Sequence, residues 1–260
     1  MNEAGGIIQP RWTTPATVRS LLTTRVGGFS AAPYDSFNLG DHVGDVPATV
    51  ARNRALLSRA LPVEPLWLSQ VHGVEVADAD TAIGVPVADA VVARQPGRVC
   101  VVMTADCLPV LLCDDDGSVV AAAHAGWRGL AAGVLEATIE RMAIAPERLR
   151  AWLGPAIGKD CFEVGGEVRE AFVDDDAGAE GAFLPAPMPG KWLADLSALA
   201  QHRLRRVGLS QIESAGVCTF SDARRFYSYR RDGQTGGFAS MIWLESGASP
   251  VLGDSTARPR

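Results

Sequence analysis

Residues 99–130, VCVVMTADCLPVLLCDDDGSVVAAAHAGWRGL, decide how this chain folds. Three apolar runs, 98–105, 108–113 and 118–124, are short and bounded by breakers, so they read as buried strands. DDDG at 114–117 reads as the tight turn of a hairpin between the second and third runs. Asp106 interrupts the first two runs, and a carboxylate between buried segments is costly unless it has a partner. Pro109 adds to the break, because it pushes the residue before it towards extended geometry. Cys107 therefore sits at a special turn, not inside a regular strand. His124 ends the third run, where AGWRGL opens a helix.

Working outward, 127–143 sets Ala131, Val134, Leu135, Ile139 and Met142 on one helical face. Residues 47–61 open with a proline at a helix-start position and align Val50, Leu57 and Leu61. Residues 192–207 align Leu196, Leu199, Ala200, Leu204 and Val207, and stop at Gly208. Further strands are expected at 18–24, 66–71, 88–93, 150–153, 213–217 and 239–244. Residues 174–191 and 246–260 are rich in small residues and proline; the first reads as a long surface loop and the second as a disordered tail. The order of elements is not a strict βαβ alternation. The expected fold is α/β with α+β character: a single layered domain over 1–245, with a core of one mixed sheet, or of two sheets, flanked by helices.

The chain has 260 residues, 47% hydrophobic and 21% charged, with a formal net charge of −6. That balance disfavours nucleic acid or an anionic membrane as partner. Five cysteines, at 100, 107, 113, 161 and 218, fit no disulfide framework. No secretory signal is visible at the start, and a reducing cytoplasm is the expected compartment.

Two of the four histidines end apolar segments: His124, and His72 in LSQVHGVEV. With Cys107 they make a three-ligand set of the zinc type with an open fourth position. A metal-free Cys107–His124 pair, with the cysteine as nucleophile, fits the same residues, and a core histidine with a buried cysteine is the plain structural alternative. Arg128, beside Gly126 and Gly129 at a helix start, suits phosphate. Arg25 in TTRVGG is the next phosphate candidate, and Asn38 in NLG could hydrogen-bond a sugar or base. Asp106 and Glu163 are the acid–base candidates, while His42 lies in a glycine-rich loop. Arg230 and Arg231 are expected to pair with nearby acids such as Asp232.

Together SQVHG, ADAVV, TADCLPVLL, AHAGWRGL, LGPAIG, CFEVGGEV and FYSYRRDGQTGGFAS resemble the YfiH-like, or polyphenol oxidase/laccase-domain, family over roughly residues 18–245. TTRVGGFS and PYDSFNLGDHVGD match it too. The resemblance implies a YfiH-like, cysteine-hydrolase-like fold. It implies a zinc site, with copper as the other candidate ion, made of His72, Cys107 and His124. It also implies phosphorolysis of adenosine, inosine and methylthioadenosine and deamination of adenosine, with Cys107, His124 and Asp106 catalytic and Arg25, Asn38 and Arg128 binding substrate or phosphate. The partners are then a small nucleoside and phosphate, and the chain is expected to be a monomer. The family's editing of peptidoglycan precursors keeps a cysteine- or metal-dependent amide hydrolase as the alternative. Multicopper oxidase chemistry is disfavoured, because His42 and His202 are too few further imidazoles for a second copper cluster. Gly237 stands where many relatives carry a basic residue, which bears on substrate preference.

Overall fold

Leaving the strand Val99–Thr104, the chain passes from one sheet to another within three residues, and this crossing organises the molecule. The computed structural model describes residues 3–4 and 6–246; all but the first residue of the expected tail lies outside them. The strands are β1 (Glu3–Ala4), β2 (Ile7–Ile8), β3 (Val18–Thr23), β4 (Val76–Asp78), β5 (Ala90–Ala93), β6 (Val99–Thr104), β7 (Leu108–Asp114), β8 (Val120–Ala125), β9 (Leu149–Leu153), β10 (Glu163–Gly165), β11 (Phe183–Pro185), β12 (Lys191–Ala194), β13 (Gln211–Ser214) and β14 (Phe238–Leu244). The helices are α1 (Pro47–Ser58), α2 (Trp127–Ala132), α3 (Val134–Met142), α4 (Gly166–Val173), α5 (Leu196–Arg206) and α6 (Tyr229–Asp232).

One sheet has the order β1-β2-β3-β14-β6 and the other β13-β9-β7-β8-β5-β4, with a small third sheet β10-β12-β11. The six-stranded sheet is mixed: β13–β9 and β4–β5 are parallel and its other pairs antiparallel. The α/β layering expected from the sequence is present. Cys100, Val102, Phe238 and Ile242 of the first sheet share a core with Val91, Leu111, Cys113 and Ala122 of the second. Val101, Met103 and Met241 face outward onto Leu57 of α1. Val110, Leu112, Ala121 and Ala123 face the other way, onto α3, α4 and α5. The result is four layers, helix–sheet–sheet–helix, which is why β6, β7 and β8 are buried at every residue instead of alternating.

Several elements depart from the expectation, each for a local reason. The helix expected over 127–143 is two helices, because Gly133 adopts φ +101° and ends α2. The helix expected from 192 begins at Leu196: Asp195 caps it by accepting from the Ala198 N–H, and 191–194 are spent on β12. Helix α1 stops at Ser58, so Leu61 lies beyond it. Segment 174–191 is not one open loop; it holds a 3-10 turn at Ala177–Ala182, then β11 and the first residue of β12. Residues 66–71 make only isolated bridges, Leu66 to Cys100 and Ser69 to Val87. The strand placed at 213–217 occupies Gln211–Ser214. The 114–117 hairpin is present: Asp114 accepts from Ser118 N, Ser118 Oγ and Val119 N and closes the loop onto β8. No described helix is long and apolar enough to cross a membrane.

Candidate active site

Register brings the sequence candidates together. In the β7–β8 pair Leu108 lies opposite Ala125 and Pro109 opposite His124, so Cys107, just before β7, reaches the end of β8. His72 arrives from the segment between Leu66 and β4. One ligand atom from each of His72, Cys107 and His124 lies within 4.8 Å of the others. Cys107 Sγ is 3.8 Å from His72 Nε2, and the two imidazoles meet edge to face with centroids 4.7 Å apart. Three ligands around a tetrahedral zinc stand about 3.5 Å apart, so this group fits an ion with little adjustment. Among the described residues it is the one cluster able to hold a metal.

Asp89, which the sequence reading did not single out, builds this cluster. It is fully buried just before β5. Its carboxylate accepts from the backbone N–H groups of Val71, His72 and Gly73, at 3.1, 2.9 and 2.6 Å. These bonds hold His72 in the left-handed region, at φ +60°. Asp89 Oδ1 also lies 2.8 Å from His124 Nδ1, which leaves Nε2 free to ligate. The signal was in ADAVV: an aspartate leading a buried strand needs a partner, the argument already applied to Asp106. Gly126 completes the cradle, since a Cβ there would stand 2.8 Å from His72 Cδ2 and 2.9 Å from Cys107 Sγ.

The electrostatics favour a thiolate. Burial pushes the Cys107 thiol up, but the charge and hydrogen bonding of His124, and then His72, outweigh it and bring the group down to about 6. Burial pushes His124 down, but Cys107 and Asp89 outweigh that and lift it to about 9. Burial also opposes ionisation of Asp89, yet its bonds to His124, Gly73 and Val71 hold it below the usual carboxylate range.

The cluster forms part of the wall of a cavity of about 440 Å³, a size suited to a small organic ligand. Met103, Ile157, Phe162, Trp127 and Leu196 make the wall largely apolar, and Arg128, Arg230 and His42 also line it. The Arg128 guanidinium stacks 4.4 Å from the Trp127 ring and has no carboxylate partner among the described residues. Arg230 does not pair with Asp232 as expected; its guanidinium donates to the Glu163 carbonyl and lies over Phe162. Arg231 is the one that pairs with Asp232.

The other candidates are placed as follows. Asp106, at φ +98°, borders the cavity, but its carboxylate accepts from Thr219 Oγ1, Ser228 Oγ and Arg230 N, at 2.6, 3.0 and 2.7 Å. Arg25 donates to the carbonyls of Asp35 and Ala223, pairs with the Asp35 carboxylate and does not line the cavity. Asn38 is fully buried and fastens Gly40 to Gly237, both of which are lining residues. The Glu163 side chain is not part of the cavity wall. His202 pairs with Asp176 outside it.

A family model described as multi-copper polyphenol oxidoreductase laccase matches residues 19–245. A Pseudomonas aeruginosa protein named purine nucleoside phosphorylase is 54% identical over 238 residues, covering 92% of this chain and 98% of that protein. The Escherichia coli purine nucleoside phosphorylase YfiH is 52% identical over 244 residues, with the same coverage. A crystal structure of a Neisseria meningitidis protein superposes with a TM-score of 0.89 at 48% identity, covering 93% of this chain and all of that one.

Proposed function

The chain belongs to the family whose model is described as multi-copper polyphenol oxidoreductase laccase, and from that premise we propose that it is a zinc-dependent purine nucleoside phosphorylase that also deaminates adenosine. The observation that carries the reading is one cavity lined both by the His72–Cys107–His124 group and by two guanidiniums, Arg128 and Arg230, that no described carboxylate neutralises. An unneutralised pair of that kind suits a phosphate. Relatives named purine nucleoside phosphorylase support the same substrate class.

In this reading the purine lies against Phe162, Met103 and Ile157, whose apolar surfaces exclude water. Arg128 and Arg230 hold phosphate so that one oxygen attacks the sugar carbon as the base leaves. When bound, a zinc ion supplies Lewis acidity; His72, Cys107 and His124 hold it, and Asp89 fixes the tautomer of His124. Asp106, whose carboxylate already accepts from three protein donors, braces the turn that carries Cys107. His42, an exposed ring on the cavity wall whose Nδ1 lies 3.6 Å from the Asp41 carboxylate, is the group placed to carry a proton in deamination. A copper oxidase reading fails on ligands: His42 and His202 lie apart from the cluster, and no second imidazole-rich group exists among the described residues.

A second reading draws on one further observation. Asp89, His124 and Cys107 run in the order of an acid–base–nucleophile triad, which supports a metal-free amide hydrolase. The test is to incubate the metal-loaded protein with adenosine, with and without phosphate, and to separate the products. Adenine that forms only with phosphate, with inosine forming in either case, is expected. No turnover by protein shown to carry zinc overturns the proposal, and amide hydrolysis that survives chelation establishes the second reading.

A further inference from the structure

Behind the cavity wall lies a second thiol cluster with no part in the chemistry above. Cys218 follows the 211–214 strand and bridges to Ala156. Its sulfur accepts from the Gly158 N–H at 3.1 Å and from Ser221 Oγ at 3.4 Å. The same hydroxyl stands 3.7 Å from Cys161 Sγ, so one serine touches both sulfurs. Neither cysteine is fully buried. Cys218 also lines an open hollow of about 490 Å³ shared with Ser221 and the 222–225 turn, which gives solvent a route to it.

We propose that Cys218 and Cys161 are a peroxide-sensitive pair that closes reversibly to a disulfide across the back of the cavity wall. The Cys218 thiolate attacks one peroxide oxygen; the S–O bond forms, the O–O bond breaks, and the leaving hydroxide takes a proton to become water. Cys161 then attacks the sulfenic sulfur; the S–S bond forms, the S–O bond breaks, and the oxygen leaves as a second water. Two thiols are oxidised by two electrons and one peroxide is reduced.

The surroundings divide the roles. Burial opposes ionisation of Cys218, but the Ser221 hydroxyl and the N–H groups of Ser221, Gly158 and Phe220 outweigh it and lower the thiol. Burial and the neighbouring Cys218 raise Cys161, despite its bond to Ser221. Cys218 is thus the attacking sulfur and Cys161 the resolving one. Cys100 and Cys113 are pushed up by burial and stay inert. The bridge would tie the turn carrying Phe162 to the segment whose Thr219 holds Asp106.

The test treats the reduced, zinc-loaded protein with a small excess of hydrogen peroxide and maps its peptides without reductant. The expected result is a peptide joining Cys161 to Cys218, lighter by the two hydrogens lost and restored by dithiothreitol, with zinc content unchanged. In Cys161→Ser the sulfenic acid should persist on Cys218 and be captured by dimedone; in Cys218→Ser both products should be lost. Oxidation confined to Cys107, or no joined peptide from the wild-type protein, overturns the proposal. The wild-type map decides the matter even if a variant fails to fold, and none of these outcomes depends on which substrate the cavity takes.

Discussion

At the scale of single residues, the site depends on two positions that touch no substrate. Gly126 has φ −65°, which alanine adopts freely, so Gly126→Ala adds a methyl group against His72 and Cys107 without straining its own backbone. We expect zinc affinity and turnover to fall at least tenfold, with a melting temperature within a few degrees of wild type, as measured by metal competition and calorimetry. Unchanged affinity would show that the three ligands are not held by this cradle. Asp89→Asn keeps the shape but removes the charge that His124 and three backbone donors share. Loss of such a supporting carboxylate typically costs about 10–100-fold in metal affinity, and we expect a loss in that range by competition with a chelating dye. His72, Cys107 and His124 were legible as candidates because these two histidines close apolar runs and Asp106 breaks one at the cysteine, but a metal site, a cysteine nucleophile and plain packing stayed open on that pattern, and only the family resemblance favoured the metal. Asp89 was not read, although the same reasoning applies to ADAVV. Arg25 shows the converse limit: arginine beside paired glycines suits an anion, and only the fold reveals that the Asp35 and Ala223 carbonyls already occupy it.

At the scale of elements, strands were more legible than helix boundaries. Runs buried on both faces, such as β6 to β8, announce themselves by composition. A helix end is set by one capping interaction that periodicity does not register. The apolar spacing of 192–207 continues through the β12–α5 junction because Trp192 and Leu193 suit a strand as well as a helix, and Asp195 alone marks the start. Asp195→Ala should therefore destabilise the protein by about 1 kcal/mol, seen as a lower urea midpoint at an unchanged slope. A change of slope would mean that Asp195 governs more than the first turn of α5. The passage from β6 to β7 was legible as a break, but not as a move between sheets. Asp106 makes that passage possible by accepting three hydrogen bonds at a positive φ, and no local pattern in the sequence names its donors, Thr219 and Ser228, more than a hundred residues away.

At the scale of the whole molecule, acid should unfold this protein through a small set of carboxylates. Asp89, Asp114 and Asp176 are all held below the usual carboxylate range. For Asp176 the hydrogen bond from His202 is the main cause and brings it to about 2, but that group is half-buried at the surface, where solvent screens it. Asp114 is the cleaner probe. Burial opposes its ionisation, yet the donors of Val119 and Ser118 outweigh burial, and these bonds hold the hairpin between two central strands. A carboxylate depressed in the folded state binds fewer protons there than in the unfolded chain. It therefore contributes stability in full above the unfolded value, near pH 4, and that contribution drains away as the pH falls towards the folded value. Wild-type stability should accordingly be flat with respect to this group above pH 5 and fall steeply below pH 4. In Asp114→Asn the group no longer titrates, so the variant should be less stable at neutral pH and should lose less on acidification, the two curves converging in acid. Urea titrations of both proteins at a series of pH values would measure this directly. Parallel curves would show that Asp114 carries no part of the acid sensitivity.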